Sequence, residues 1–299
     1  MAGFYVFLIG VKMRTKKGFT LIELLVVIAI IALLLAILMP SLRKAKQVAK
    51  DAICRSNLKH WAAIWHVYAN ENNGLLPDPT NPIIKGIRRD WIAALREDYP
   101  TGEGTISQCP MAPKYVEHTG PIPGGGGTFS AYRNLLYAGT PQERIELNSY
   151  GMNLFAYSKP HFIMNPAQDK NWGRLEVSGT SRSTIPLFMD SAFGGAAPHY
   201  DGTWDGMTMK RSEEPLPNNG LDHVYDGIRQ FALPRHGSGT RVGVNVLFFD
   251  SSVSHVMVKE IWSLRWHKDF DTRRWETDRA TIWPGDGTGI WLDRLSEDF

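Results

Sequence analysis

Apolar residues run without a break from Leu24 to Met39, sixteen in all. Counted from Phe19 the stretch is twenty-one residues, interrupted only by Thr20 and Glu23. That meets the roughly 20 residues a helix needs to cross a bilayer. After Pro40 the pattern turns amphipathic. Leu42, Ala45, Val48/Ala49, Ala52/Ile53, Trp61, Ile64/Trp65 and Tyr68 recur every three or four residues, with a polar gap around Ser56-Asn57, while Arg43, Lys44, Lys46, Lys50 and Asp51 take the other face. This predicts one long helix that lays an apolar stripe on a folded domain. Pro40 should bend it, because its ring removes a backbone donor and crowds the preceding turn. Asn70-Glu71-Asn72-Asn73-Gly74, followed by Pro77, marks the end, with Gly74 as the C-cap. A helix from Phe19 to Asn72 would be about 80 Å long.

Residues 75–180 are rich in loop signals, including Pro77-Asp78-Pro79 and Pro121-Ile122-Pro123 followed by four glycines. No Gly-Lys-Ser/Thr follows those glycines, so they are not a phosphate loop. Asp90–Leu95 reads as a short helix carrying Trp91. Strand signals return at Thr184–Met189. They are clearest in Val242–Phe249 and Ser252–Val258, two runs rich in β-branched residues joined through Asp250-Ser251, which predict a hairpin. The expected fold class is therefore α+β, with the amphipathic helix received by an antiparallel sheet.

Charge adds an orientation. Of the 33 lysines and arginines, Lys12, Arg14, Lys16 and Lys17 precede Phe19, whereas all 30 acids follow it. The remainder is nearly neutral, which argues against a nucleic-acid-binding surface. A basic flank holds the N-terminus in the cytoplasm. No small-x-small cleavage site follows the run, so an anchor is favoured over a secretory signal peptide, and the bulk of the chain falls outside the cytoplasm. The expected division is a leader at 1–18, a transmembrane helix at 19–41, an amphipathic helix at 42–74 and an exported globular α+β domain at 75–299.

Lys16-Lys17-Gly18-Phe19-Thr20-Leu21-Ile22-Glu23 resembles the processing signal of type IV prepilins and type II secretion pseudopilins. The resemblance implies that a prepilin peptidase cuts after Gly18 and methylates the new amine of Phe19. Met1–Val11 is long and apolar for such a leader, and translation from Met13 would give a short one. An ionised carboxylate in a bilayer is costly unless it is partnered. The class supplies a partner, because Glu23 of one subunit can pair with the Phe19 amine of a neighbour during assembly. Arg235-His236, then Asn245-Val246-Leu247-Phe248-Phe249-Asp250, resembles a block found in many pseudopilin-like proteins, in which the last aspartate precedes glycine. Ser251 stands in the glycine's place here. Cys54-x-Ser56-Asn57-Leu58-Lys59, Cys109-Pro110 and Ser149-Tyr150-Gly151-Met152-Asn153 are similar to further landmarks of that family. The implied fold is pilin-like. The implied partners are the peptidase/methylase, other pseudopilin subunits and an inner-membrane assembly platform, with the globular domain periplasmic.

The chain has two cysteines, Cys54 and Cys109. In an exported domain they are expected to form a disulfide, the alternative being two separate buried thiols. Asp201, Asp205, Asp222 and Asp226 lie in Asp-Gly-rich segments that could offer oxygen ligands to calcium, although neither segment has EF-hand spacing. Zinc is less favoured, because no His-Glu-x-x-His or paired Cys/His spacing is present. Otherwise no cofactor is expected. His236 and Asp250 are one conceivable acid/base pair, but His236 is better read as tying a loop to the sheet. No nucleophile elbow is present, and no enzyme is expected. Ten tryptophans, among them Trp204, Trp262, Trp266, Trp275, Trp283 and Trp291, leave one alternative: a monomeric anchored carbohydrate-binding protein.

Overall fold

The computed structural model describes residues 19–79, 91–95, 106–115, 126, 129–136, 144–160, 170–196, 203–204, 207–208, 231, 235–238, 241–270 and 272. The chain divides into two compact units, Met1–Lys46 and Gln47–Phe299.

The described part of the first unit is the start of helix α1 (Leu21–Glu71). Thr20 stands just before the helix and Glu23 lies in its first turn, at the spacing of a capping box. Helix α1 continues through Pro40, and the Ser41 hydroxyl donates to the Leu38 carbonyl at 2.8 Å. Every residue from Phe19 to Lys46 is exposed. An apolar surface of this extent is unstable in water, and the helix is long and apolar enough to cross a membrane.

The second unit takes up the rest of α1. Its buried face is Cys54, Asn57, Leu58, Trp61, Ala62, Trp65 and Ala69, a run at helical period. This corrects the expected stripe. Val48, Ala49, Ala52 and Ile53 are exposed, and the seam passes instead through Asn57, in the supposed polar gap. Asn57 is tolerated there because its amide donates to the Gln108 carbonyl at 3.1 Å and to the Tyr150 hydroxyl at 3.4 Å. The helix ends in left-handed backbone at Asn73 and Gly74 (φ 56° and 78°), and the Gly74 amide donates to Ala69 O at 2.6 Å.

A five-stranded sheet is the centre of this unit. Its strands come from β3 (Tyr150–Asn153), β4 (Pro186–Asp190), β5 (Gly195–Ala196), β8 (Gly243–Phe248) and β9 (Val253–Met257), in the order β5-β3-β4-β8-β9. All pairings are antiparallel except β3 with β5. Two smaller ladders stand apart, β1 (Tyr132–Leu136) with β2 (Arg144–Asn148) and β6 (Thr203–Trp204) with β7 (Met207–Thr208). The expected strand at 184–189 is β4, and the expected hairpin is β8–β9. A four-residue helix, α2 (Trp91–Ala94), carries Trp91.

Helix and sheet meet through aromatic rings. Phe188 of β4 lies 5.2 Å from Trp61, 5.9 Å from Trp65 and 4.7 Å from Trp91 between ring centroids. Tilted and edge-on arrangements of this kind add to the gain from burial. The Trp61 indole N–H donates to Ile106 O at 2.8 Å, so this ring is buried without losing its polar bond. The result is an α+β pilin-like arrangement, one long N-terminal helix with a C-terminal antiparallel sheet.

The β8–β9 connection has three residues between its last bonded pair. Phe248 N donates to Ser252 O and Ser251 N to Phe248 O, both at 2.9 Å. Ser251 adopts φ 68°, as the third residue of such a loop requires. A two-residue turn is therefore not formed, and serine occupies the left-handed position that favours glycine. Helix α1 braces it: Lys59 Nζ donates to Ser251 O at 2.7 Å, and His66 Nε2 lies 2.6 Å from Ser251 Oγ.

Candidate functional site

Two sets of residues carry chemistry, and each lies within one unit. At the start of α1 the Thr20 amide and hydroxyl donate to Glu23 Oε2 at 2.9 and 2.7 Å, and the Glu23 amide donates to Thr20 Oγ1 at 3.3 Å. This reciprocal box satisfies donors that a helix start leaves open. The signal was present in the sequence as Thr-x-x-Glu. Glu23 thus has a role within its own chain. Gly18 lies outside the described residues, and Phe19 is exposed.

The second set is a buried polar cluster between the central sheet and α1. Asp190, at the end of β4, is its hub. Its Oδ1 accepts from Arg235 Nη1 at 3.1 Å, and its Oδ2 accepts from the Asn245 amide at 2.9 Å and faces His236 Nε2 at 3.2 Å. Cys54 Sγ, from α1, lies 3.6 Å from both oxygens. His236 Nε2 is also 3.4 Å from Cys109 Sγ, while its Nδ1 faces Asp51 Oδ1 at 3.1 Å. Asp51 is held in turn by the Asn245 side-chain amide at 2.8 Å and by Arg55 at 2.8 Å. Arg235 completes the lattice through Ser149 O at 2.7 Å and Ser191 O at 3.2 Å.

Local backbone explains why His236 points inward. His236 bridges to Gly243 at the start of β8, with amide–carbonyl bonds of 2.9 and 2.8 Å. The next residue, Gly237, turns the chain at φ 86°, where a Cβ would collide with the Arg241 carbonyl. The loop carrying Cys109 folds back through Ala112 N to Cys109 O at 2.8 Å.

Asp190 and Arg235 are fully buried as side chains, and His236 nearly so. Burial alone would raise the Asp190 pKa, but the charges of His236 and Arg235 and the bonds to the carboxylate hold it far below the usual range. Burial would lower His236; the Asp190 charge, with hydrogen bonds from Asp190, Asp51 and Cys109, pushes it up to about 12. Burial also opposes ionisation of Cys109, but the Cys54 hydrogen bond and His236 bring its thiol down to about 7. Cys54 moves the other way, raised by burial and by its neighbours. Charge is therefore held here in a network centred on the Asp190 carboxylate, with His236 Nδ1 and Asn245 Oδ1 left without a well-aligned hydrogen bond.

Arg235, His236 and Asn245 come together in this cluster, whereas Asp250 does not. It sits in the β8–β9 turn, where Oδ1 accepts from the Ser252 amide at 2.9 Å and hydroxyl at 2.6 Å. The imagined His236–Asp250 acid/base pair is thereby excluded. Cys54 and Cys109 are brought together, their sulfurs within 4.8 Å, and both are free thiols. Asp201, Asp205, Asp222 and Asp226 lie outside the described residues. Trp61, Trp65, Trp91, Trp172 and Trp266 are buried, so none of these presents a sugar-binding face. Tyr150, marked in the sequence only as part of a family landmark, joins the cluster through its hydroxyl, 3.3 Å from Cys54 Sγ. Asp51 and Asp190 were missed as members, and nothing in their local spacing announces them.

Residues 13–39 match the family described as the prokaryotic N-terminal methylation motif. The chain is similar to the type IV wide pilus major component PilA4 of Thermus thermophilus, 41% identical over 76 residues. These cover 25% of this chain and 58% of the relative. It is also similar to the competence protein ComGC of Halalkalibacterium halodurans, 38% identical over 66 residues, covering 22% of this chain and 62% of the relative. The chain thus spans about three-fifths of each curated relative. No solved structure matches it. The N-terminal region thus carries a prokaryotic methylation motif and is similar to the corresponding part of pilin-like proteins, and its apolar helix supports membrane anchoring.

Proposed function

We propose that this chain is the membrane-inserted precursor of a pilin-like filament subunit. It is structural and non-catalytic, and serves a type II secretion or type IV pilus-like machine. The observation that carries the reading is a methylation motif at residues 13–39 that takes in the start of helix α1 (Leu21–Glu71), every residue of which is exposed as far as Lys46. In a membrane-anchored monomer only the bilayer covers that surface. In a filament, neighbouring copies of the same helix cover it instead.

Maturation cleaves Gly18–Phe19 and methylates the Phe19 amine, so a prepilin peptidase/methylase is the first partner. The leader stays in the cytoplasm and the second unit lies on the periplasmic face of the inner membrane until assembly. Glu23 then exchanges part of its Thr20 cap for the Phe19 ammonium of a neighbour. A carboxylate that is satisfied locally before docking and by an opposite charge afterwards avoids standing alone in lipid. Other pilin-like subunits and an inner-membrane platform are the remaining partners.

Mass spectrometry of the N-terminus of the membrane form tests this reading. The expected mature chain begins at methylated Phe19, and Gly18→Val abolishes processing. An intact leader in cells with an active prepilin peptidase refutes it.

A further inference from the structure

We infer that Cys54, Cys109, Asp190 and His236 form a binding site for one divalent metal ion of borderline softness, zinc being the natural occupant. All four side chains are buried, and their ligand atoms lie within 4.8 Å of one another. A tetrahedral zinc ion with bonds of about 2.3 Å to sulfur and about 2.0–2.2 Å to nitrogen and oxygen sets its ligand atoms roughly 3.4–3.8 Å apart. The separations here are 3.4 Å for Cys109 Sγ to His236 Nε2, 3.6 Å for Cys54 Sγ to Asp190, and 3.2 Å for Asp190 Oδ2 to His236 Nε2. Three of the six edges of such a tetrahedron are thus already close to length, and the whole set, within 4.8 Å, needs side-chain shifts of about 1 Å or less to close on one ion.

The surroundings suit a metal in two further respects. His236 presents Nε2 to the site while Nδ1 lies 3.1 Å from Asp51 Oδ1 without a well-aligned hydrogen bond, near enough that a small ring rotation forms the carboxylate–histidine bond that orients a metal-bound imidazole. Asp51 is itself fixed by Asn245 and Arg55. Charge also balances: a divalent ion with two thiolates, one carboxylate and a neutral imidazole leaves one negative charge, and Arg235 beside Asp190 offsets it. Binding displaces the thiol and imidazolium protons.

Four protein ligands and full burial leave no open coordination position, so the site is structural rather than catalytic. Its ligands come from α1, the 106–115 loop, the end of β4 and the bridge before β8. One ion would therefore fasten the buried part of α1 to the sheet and to two loops. This inference stands whether or not the chain forms filaments.

The test uses the reduced full-length chain purified in detergent, titrated with Zn²⁺ alone and with Co²⁺ alone. The expected result is one equivalent of zinc by elemental analysis. Co²⁺ should give the intense visible bands of a tetrahedral site and near-ultraviolet thiolate charge transfer. Alkylation of both cysteines should be blocked until a chelator is added. Asp51→Asn keeps all four ligands and the fold by circular dichroism, yet binds zinc about 10–100-fold more weakly. Folded, reduced wild-type protein that takes up no Co²⁺, or takes it up without thiolate bands, overturns the assignment. So does a Cys54–Cys109 disulfide in quenched native material.

Discussion

Replacing Arg235 by Met measures what the buried network contributes to the second unit. The guanidinium donates to Asp190 Oδ1 at 3.1 Å, Ser149 O at 2.7 Å and Ser191 O at 3.2 Å, and its side chain is wholly inaccessible. Met fills much of the stem volume, so the cavity contribution is small. Ser149 O keeps a second donor, the Ser191 amide at 2.9 Å. The loss therefore falls mainly on Asp190, a carboxylate with no access to water that retains the Asn245 amide and His236. Removing one partner of a buried ion pair costs about 3–5 kcal/mol, a fifth or more of a typical domain's stability of roughly 5–15 kcal/mol.

Urea unfolding of chelator-treated full-length protein in detergent, followed by tryptophan fluorescence, reads this directly. Trp61, Trp65, Trp91, Trp172 and Trp266 are all buried in the second unit and report its core. The double variant Arg235→Met/Asp190→Asn removes both charges together and should cost less than the sum of the singles by about 1.5 kcal/mol or more. Arg235→Lys, which keeps the charge but not the forked geometry, should fall between wild type and Arg235→Met. A folded Arg235→Met protein within about 1 kcal/mol of wild type, with singles that simply add, would show that the pair does not act as a unit.

Other perturbations separate the remaining roles. Glu23→Gln preserves a residue type able to complete the Thr20 box but removes the charge, so insertion and Gly18–Phe19 cleavage should persist while the yield of sheared filaments drops sharply. Wild-type yield at matched membrane levels would leave only the capping role. The Asp250 carboxyl lies below its ordinary value of 3.8: partial burial would raise it, but the Ser252 hydroxyl and amide bonds outweigh that. Its contribution is therefore present above about pH 3.8 and lost as pH falls below it, and Ser252→Ala should move the NMR titration midpoint of Asp250 upward. An unmoved midpoint would remove Ser252 as the cause. At Ser251, Ser251→Ile should destabilise the second unit by about 1–3 kcal/mol in the same urea assay, because a β-branched side chain is strained at positive φ. An unchanged midpoint would mean that the turn relaxes into another geometry.

The parts of this fold that could be read in advance are those set by local periodicity. Sixteen unbroken apolar residues dictate a helix long and apolar enough to cross a membrane, and alternating β-branched runs around Asp250-Ser251 dictate a hairpin. Both are present. The phase of the amphipathic stripe was harder, because periodicity assumes that polar residues face water. Asn57 faces the core since Gln108 O and the Tyr150 hydroxyl are waiting for its amide, and those partners lie 51 and 93 residues further on. A polar residue with distant partners looks like a gap in the stripe, so the expected face drifted to Val48 and Ile53, both exposed.

The cluster around Asp190 was hidden for the same reason in stronger form. Motifs for metal sites rest on short spacings, in which one turn or one loop sets two ligands side by side. Here the ligands are residues 54, 109, 190 and 236, each on a different element, and only the packing of α1 onto β4 unites them. The resemblance did mark Cys54, Cys109, Arg235, His236 and Asn245, but as separate landmarks in separate blocks. What joins them is Asp190, a single acid at the end of a strand, whose neighbours Met189 and Ser191 do not distinguish it from any strand-terminal aspartate. A hub of this kind becomes visible only when the donors around one carboxylate can be counted in three dimensions. Its chemistry follows from that count, because a buried acid meeting an arginine, a histidine and a cysteine thiol can be explained neither as surface solvation nor as turn capping.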